Sequence, residues 1–420
     1  MSSSIEATLG SLASDRWALV GADLVDPATR SVTRGGILID GDRIVDVGLS
    51  VERAALGEIP CIDATGRFVL PGLIDAHLHL AFDGGPRPIE RYLDDGVDGG
   101  FATRLADAAL TALLAGSTTI RDLGGPNAEL FDLRDRIEHG DVRGPRLLAA
   151  GLVLTPPAGH CHFIARQTDG PGLAAAVDVQ AASGADCIKV MVTGGVHTPG
   201  SSSGDVSYEL AELGAAVAVA HRAGRRITGH ATNATGIERA ALAGFDSIQH
   251  GTLLDHRLAG LLAERGTTLV PTLGTHAAMT EHQDDPRIPP YVAAKAGDGT
   301  AAKTRAFRAA VDCGVTIAAG TDGGVTFVGH GSLGRELALF REAGLGAWET
   351  LAAATSVAAD EVGRGDQIGR LAAAFAADLL VLDRNPIIDV HALDEPAAVI
   401  ARGAVVTAEG GRFAHAGGSG

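Results

Sequence analysis

LIDAHLHL, residues 73–80, sets two histidines, His77 and His79, two positions apart in an otherwise apolar run. Alternate residues of a strand share one face, so a buried strand here turns both imidazoles to the same side. Buried polar side chains need partners, and this pair asks for one at the end of the strand. Seven further short apolar runs follow: STTIRD (117–122), RLLAAG (146–151), DCIKVMV (186–192), RRITGH (225–230), DSIQH (246–250), TTLVPTL (267–273) and VTIAAGTD (315–322). Helix-like sequence separates them. In YELAELGAAVAVAHRAG (208–224), Leu210, Leu213, Val217 and Ala220 recur on one helical face and Gly224 follows as a stop. Eight strand–helix units over about 250 residues have the count and size of a (β/α)8 TIM-like barrel in an α/β protein. An open doubly wound sheet is the alternative, but no G-x-G-x-x-G turn follows the first strand to favour it.

The two ends of the chain read differently. Residues 16–70 carry strand patterns with turn signals (ALVGADLVDP, GGILIDGDRIVDVG, FVLPG), and residues 377–409 do the same (ADLLVLDRNP, AVIARGAVV). The expectation is one small β-sandwich built from both pieces, flanking a barrel over 71–376, with loose tails at 1–15 and 410–420. The chain has 420 residues, 46% hydrophobic and 20% charged, enough for a large core. A net charge of −17 argues against nucleic acid or an anionic membrane surface as partner. No apolar run approaches the ~20 residues of a membrane span. The N-terminus lacks the basic and apolar regions of a secretory signal. Four dispersed cysteines, Cys61, Cys161, Cys187 and Cys313, suggest a reduced, cytoplasmic protein without disulfides.

Ionisable residues gather at one end of these strands. His77 and His79 close the first, Lys189 lies in the fourth, His230 ends the fifth, His250 ends the sixth and Asp322 follows the eighth. Barrel enzymes keep their chemistry at the C-terminal strand ends. Singly, a strand-end histidine is more often structural, and a strand-end aspartate more often a helix N-cap. Four imidazoles and a carboxylate around one mouth point instead to a divalent metal site. A lysine beside cations is out of place as an ammonium, and burial would push its pKa down. A neutral Lys189 amine can add CO2, and the resulting carbamate has two oxygens able to bridge two ions ~3.5–4 Å apart.

Together, LPGLIDAHLHL, GSTTIRDLGG, GADCIKVMVTGG, ITGHATN, DSIQHGT and AAGTDGG resemble the amidohydrolase superfamily. The likeness is to its binuclear, carboxylated-lysine branch of metal-dependent dipeptidases, prolidase-like enzymes and ochratoxinase-like amidases, and it covers essentially the whole chain. The resemblance implies that His77, His79 and Asp322 hold the more buried ion, His230 and His250 the more exposed one, and carboxylated Lys189 bridges both. It implies hydroxide attack on a carbonyl carbon, with Asp322 moving the proton to the leaving amine. Zinc is the default metal, and cobalt or manganese would also suit these ligands. Relatives assemble as homo-oligomers, from dimers to octamers.

PAGHCHF (157–163) brings His160 and His162 toward the same mouth. The resemblance gives His160 the carbonyl oxygen to steady, and leaves His162 structural or lining the substrate. Arg121 and Asp122 are expected as an ion pair supporting the metal shell. VHTPGSSSGDVS (196–207) reads as a flap, GTHAAMTEHQDDPRIPP (274–290) as a second long loop, and His330 as a pocket residue. Many relatives with dipeptidase activity have a tyrosine two residues after the fifth-strand histidine, in an H-A-Y pattern. Here the sequence is His230-Ala231-Thr232-Asn233, and Thr232 or Asn233 would supply a shorter hydrogen bond to a small-molecule substrate.

The expected function is hydrolysis of an amide or peptide-type C–N bond, in an N-acyl amino acid, dipeptide or aryl amide. Carbamate, urea, lactone or phosphotriester hydrolysis would use the same site. A mononuclear deaminase is disfavoured, because it needs a glutamate where Asn233 stands and no bridging lysine. A non-enzymatic scaffold would be expected to have lost ligands.

Overall fold

The computed structural model describes residues 15–54, 59–296 and 299–406. Apart from Asp15, the expected tails lie outside the described residues, as do residues 407–409. The architecture is α/β.

Strands from both chain ends share one mixed sheet of eight. Arg16–Asp26, Ser31–Asp40, Arg43–Gly48, Cys61–Asp63 and Phe68–Pro71 come from the N-terminal side, and Leu379–Leu382, Ala398–Ala401 and Ala404–Val406 from the C-terminal side. The seam is antiparallel, with Leu380 opposite Leu70 and Val381 opposite Val69. The Trp17 indole N–H also donates to Gly403 O at 3.1 Å across the two pieces. Period-two alternation sorts the side chains: Trp17, Leu19, Ile37, Ile39, Leu379 and Val381 bury on one face, and Ala18 and Leu38 on the other, beside Val51 of the short helix Leu49–Ala54.

The rest of the chain runs as parallel strands with helices between them. Leu73–Leu78, Ser117–Asp122 and Arg146–Ala149 form one sheet. Cys187–Met191, Arg226–Ala231, Ser247–His250 and Thr268–Val270 run through another, extended by the short strands Val153–Thr155 and Ala165–Gln167. Hydrogen bonds link the two sheets. Asp186 N donates to Ala149 O at 2.9 Å on one side. On the other, the 315–322 stretch is hydrogen-bonded to both sheets: Leu269 N donates to Thr316 O (2.9 Å) and Ala76 N to Ala319 O (3.0 Å). This stretch is not a regular strand. Gly320 passes so close to His77 that a Cβ would sit 2.9 Å from its backbone nitrogen, and Asp322 turns at φ +61.

Three further expectations need correction. Leu210 opens its helix, Leu210–Arg222, and is 40% exposed, while Leu213, Val217 and Ala220 bury as expected. The seventh strand stops at Val270, because Pro271 has no N–H to continue a ladder. The stretch 274–290 is not one long loop: Leu273–Glu281 is a helix, and Pro290–Ala296 follows as another. Among the described residues no helix is long and apolar enough to cross a membrane, and none of the four cysteines forms a disulfide.

Candidate metal centre

The strand ends converge on one cavity lined by His77, His79, His160, Lys189, His230, His250 and Asp322. His77 Nε2 and His79 Nε2 lie 3.2 Å and 3.3 Å from the same oxygen, Asp322 Oδ1. Imidazole centroids are 5.2 Å apart for His77 and His250, 4.6 Å for His230 and His250, and 4.5 Å for His160 and His230. One ligating atom each from His77, His250 and Asp322 lies within 4.8 Å of the others. Backbone geometry serves this convergence. His250 and Asp322 both hold positive φ, +72 and +61, which is costly away from glycine and collects at functional sites.

Electrostatics favour the ligating forms. Burial pushes His77, His160 and His250 well below the ordinary histidine range and His230 down to about 3, so the imidazoles are neutral. Burial opposes charge on the Asp322 carboxyl, yet the surrounding imidazoles of His77, His79 and His250 hold it well below the usual carboxylate range. Neighbours also orient the rings. His79 Nδ1 lies 3.2 Å from Gly124 O and His250 Nδ1 2.8 Å from Thr272 Oγ1, which leaves each Nε2 for another partner. Asp75 accepts from His77 N, Thr321 N and Thr321 Oγ1, tying the first strand end to the Asp322 turn.

Lys189 carries the chemical surprise. It is 1% exposed, and its Nζ makes no hydrogen bond. Burial brings its pKa down to about 7, which gives a neutral amine near physiological pH. A donor set of neutral imidazoles, one carboxylate and an amine able to become a carbamate fits divalent metal ions.

The structure gathers the expected metal-ligating residues and His160 around this cavity and separates several others. Thr232 lines it, although its hydroxyl is already bonded to Thr193 Oγ1 at 3.0 Å. Asn233 does not line it. Its carbonyl caps the following helix through Gly236 N, and its amide donates to Ser203 O and Asp205 O. His162 is turned back on its own loop, with Nδ1 3.2 Å from Gly159 O. His330 lines an adjacent cavity and places Nε2 3.1 Å from His79 O. Arg121 does not pair with Asp122, because adjacent strand residues face opposite ways. Arg121 binds Ala76 O and Glu361, whereas Asp122 accepts from Leu80 N and Gly124 N on either side of the site. Cys161 lines the cavity, but burial pushes its thiol up to about 12, unsuited to a nucleophile.

The 196–207 loop, expected as a flap, is tied from several sides. Lys295 Nζ donates to Thr198 O (2.7 Å), Val196 O (3.3 Å) and Gly195 O (3.4 Å), and Thr198 Oγ1 accepts from Cys161 N at 2.9 Å.

Sequence reasoning missed His197, His276 and Lys303, all on the cavity wall. Lys303 was visible as an anomaly: it is buried on the same helix face as Ala306, Phe307 and Ala310, where a hydrophobe belongs. Its Nζ donates to Thr272 O (2.6 Å), Thr272 Oγ1 (2.8 Å) and Thr275 Oγ1 (2.7 Å). Nearby, Glu336 accepts from Leu273 N and Gly274 N. Together they fix Thr272, which holds φ +49 beneath His250. Lys303→Met removes these three charge-assisted bonds at a buried site, and is expected to lower unfolding free energy by about 1–3 kcal/mol in urea titrations. An unchanged urea midpoint would show that the Lys303 bonds do not carry this platform.

The sequence profile of the amidohydrolase family matches residues 68–407. The chain belongs to that family, in its peptidase/amidase-like branch, and is a hydrolytic enzyme. It is 28% identical to ochratoxinase of Aspergillus niger, across 91% of this chain and 84% of that protein. Among solved structures it resembles a Xaa-Pro dipeptidase with methionine bound in its active site, at 29% identity and TM-score 0.85, covering 93% of this chain and 99% of the other. It also resembles a prolidase complexed with N-methylphosphonate-L-proline, at 29% identity and TM-score 0.83, with the same coverage.

Proposed function

We propose that the protein is a binuclear metal-dependent hydrolase of amide C–N bonds. The parallel strands and the 315–322 stretch are read as a closed (β/α)8 barrel with the site at its C-terminal mouth, and the mixed sheet of 16–70 and 377–406 as its companion domain. His77, His79 and Asp322 would hold one divalent ion, His230 and His250 a second, and Lys189, carboxylated by CO2, would bridge them, with zinc the default metal. Bound ions would make water acidic and polarise the substrate carbonyl. Asp322, with one oxygen facing His77 and His79, takes the proton of the attacking water and returns it to the leaving nitrogen. His160 steadies the carbonyl oxygen as it gains charge. A reducing, cytoplasmic setting and a homo-oligomeric assembly complete the reading. The observation that carries it is Lys189: an amine buried without a hydrogen bond, among four neutral histidines and an ionised aspartate, has no structural use as an ammonium.

The test is amine release by zinc-loaded protein from dipeptides, N-acyl amino acids, aryl amides and carbamates, beside acid release from lactones and phosphotriesters. Release from any of these supports C–N hydrolysis. Turnover confined to lactones or phosphotriesters would overturn it.

The role of His160 has its own check. A Cβ on Gly195 would stand 2.5 Å from both His160 Cε1 and Nε2, so the missing side chain is the seat of that ring. Gly195→Ala is expected to displace the imidazole and lower kcat by about 10²-fold, with bound metal unchanged by elemental analysis. A normal kcat would return His160 to a structural part.

A further inference from the structure

The cavity wall narrows the class of amide. Beyond the metal-ligating set, Phe82, Ile89, Met191, Val196, Met279 and Val325 make an apolar surface. The other lining side chains of the described residues are hydroxyls, imidazoles and the Cys161 thiol, with Lys303 the one exception. A substrate carboxylate needs a cation or several N–H groups free to meet it. Lys303 offers none. It is 2% exposed, and its three N–H groups are directed to Thr272 O, Thr272 Oγ1 and Thr275 Oγ1. No arginine lines the cavity among the described residues. A carboxylate pressed against this wall would lose its water and meet no free cation, only neutral hydroxyl and imidazole groups.

The wall is also shaped for an aromatic or branched apolar group. Phe82 is held between the His79 and Tyr92 rings, each centroid 5.6 Å away, and presents a fixed ring. Met279 and Met191 supply flexible thioethers that adapt to a bulky partner.

Resting on the amide-hydrolase reading, we propose that the site takes uncharged N-aryl or N-alkyl amides and carbamates, whose apolar amine portion packs on the Phe82–Met279–Val325 wall, and discriminates against a free carboxylate there. Water adds to the carbonyl carbon, the C–N bond breaks, and the water's proton passes by Asp322 to nitrogen. An amide yields carboxylic acid and amine, and a carbamate yields amine and a carbonate monoester that loses CO2.

The experiment compares two compounds that differ in one group, N-benzoylglycine and N-benzoylethylamine, on zinc-loaded protein. Amine release is measured, and binding of each is followed separately by calorimetry. Expected is a kcat/KM at least ~100-fold higher for the neutral compound, the scale of leaving one charge unpaired, with binding preference in the same direction. Met279→Arg places a guanidinium on the wall and is expected to raise kcat/KM for N-benzoylglycine at least ~10-fold while lowering it for the neutral compound. Val196→Lys serves the same purpose if Met279→Arg fails to fold. Equal or tighter binding of N-benzoylglycine by the wild type overturns the proposal, as does its faster cleavage. If neither compound is cleaved, the amide-hydrolase reading fails on that arm, and calorimetry alone still decides whether the wall prefers the uncharged ligand.

Discussion

Asp322→Asn is expected to keep its metal and lose turnover. The asparagine oxygen can still face His77 Nε2 and His79 Nε2, which lie 3.2 Å and 3.3 Å from Asp322 Oδ1. What it cannot do is carry a proton between water and the leaving nitrogen. Those neighbours keep the native carboxyl ionised, so it begins each cycle able to accept. General acid–base catalysis contributes ~10²–10⁴-fold, and kcat should fall by that range while elemental analysis shows unchanged metal. Asn at 322 also keeps the backbone at φ +61 comfortable, since asparagine tolerates that region, so a fall in kcat would not reflect lost fold. A variant within tenfold of the wild-type rate would mean another base operates.

The second large effect is at Lys189. Lys189→Ala is expected to lose most of its bound metal, and about 10³-fold in turnover, the scale of removing a charged group aimed at the reacting centre. The side chain has no hydrogen bond to lose, so thermal stability of the metal-free protein should change little. Acetate in the buffer supplies the missing pair of oxygens and should restore part of both metal content and rate. Near-normal metal and rate without acetate would remove the bridging role.

The same residue sets a pH dependence. Only the neutral amine adds CO2, and burial has lowered the Lys189 pKa to about 7. Above pH 7 the amine is mostly neutral, and below it the neutral fraction falls about tenfold per pH unit. At a fixed concentration of dissolved CO2, reactivation of metal-free protein by zinc should therefore slow in proportion as pH drops from 7 to 5. A rate independent of pH over that range would mean that no amine is being carboxylated.

Much of the site could be read from the chain because strands have period two and parallel strands bring the same end of each to one place. HLH, ITGH and SIQH set histidines at or beside strand ends, and the Lys189 run and GTD bring their side chains to the same cavity, with no knowledge of the loops needed. Failures came where long-range neighbours decide. Arg121 meets Glu361 across 240 residues, and nothing local to STTIRD announces it. Asn233 was expected at the substrate, but a residue opening a helix is already claimed by that helix's N–H groups. The 274–290 stretch contains Gly, His and Pro, which suggest a loop, yet Glu336 accepts from the first N–H groups of Leu273–Glu281 from 62 and 63 residues away and stabilises a helix there. The Lys303 platform was legible only as a misplaced charge on an apolar helix face.

The central claim is a two-metal hydrolytic centre, and one titration tests it most directly. Metal-free protein in bicarbonate buffer is given zinc in increments while amine release from a neutral anilide is followed. Activity should rise and level off at two zinc ions per chain. Full activity at one ion per chain, or none at any loading, would contradict the account.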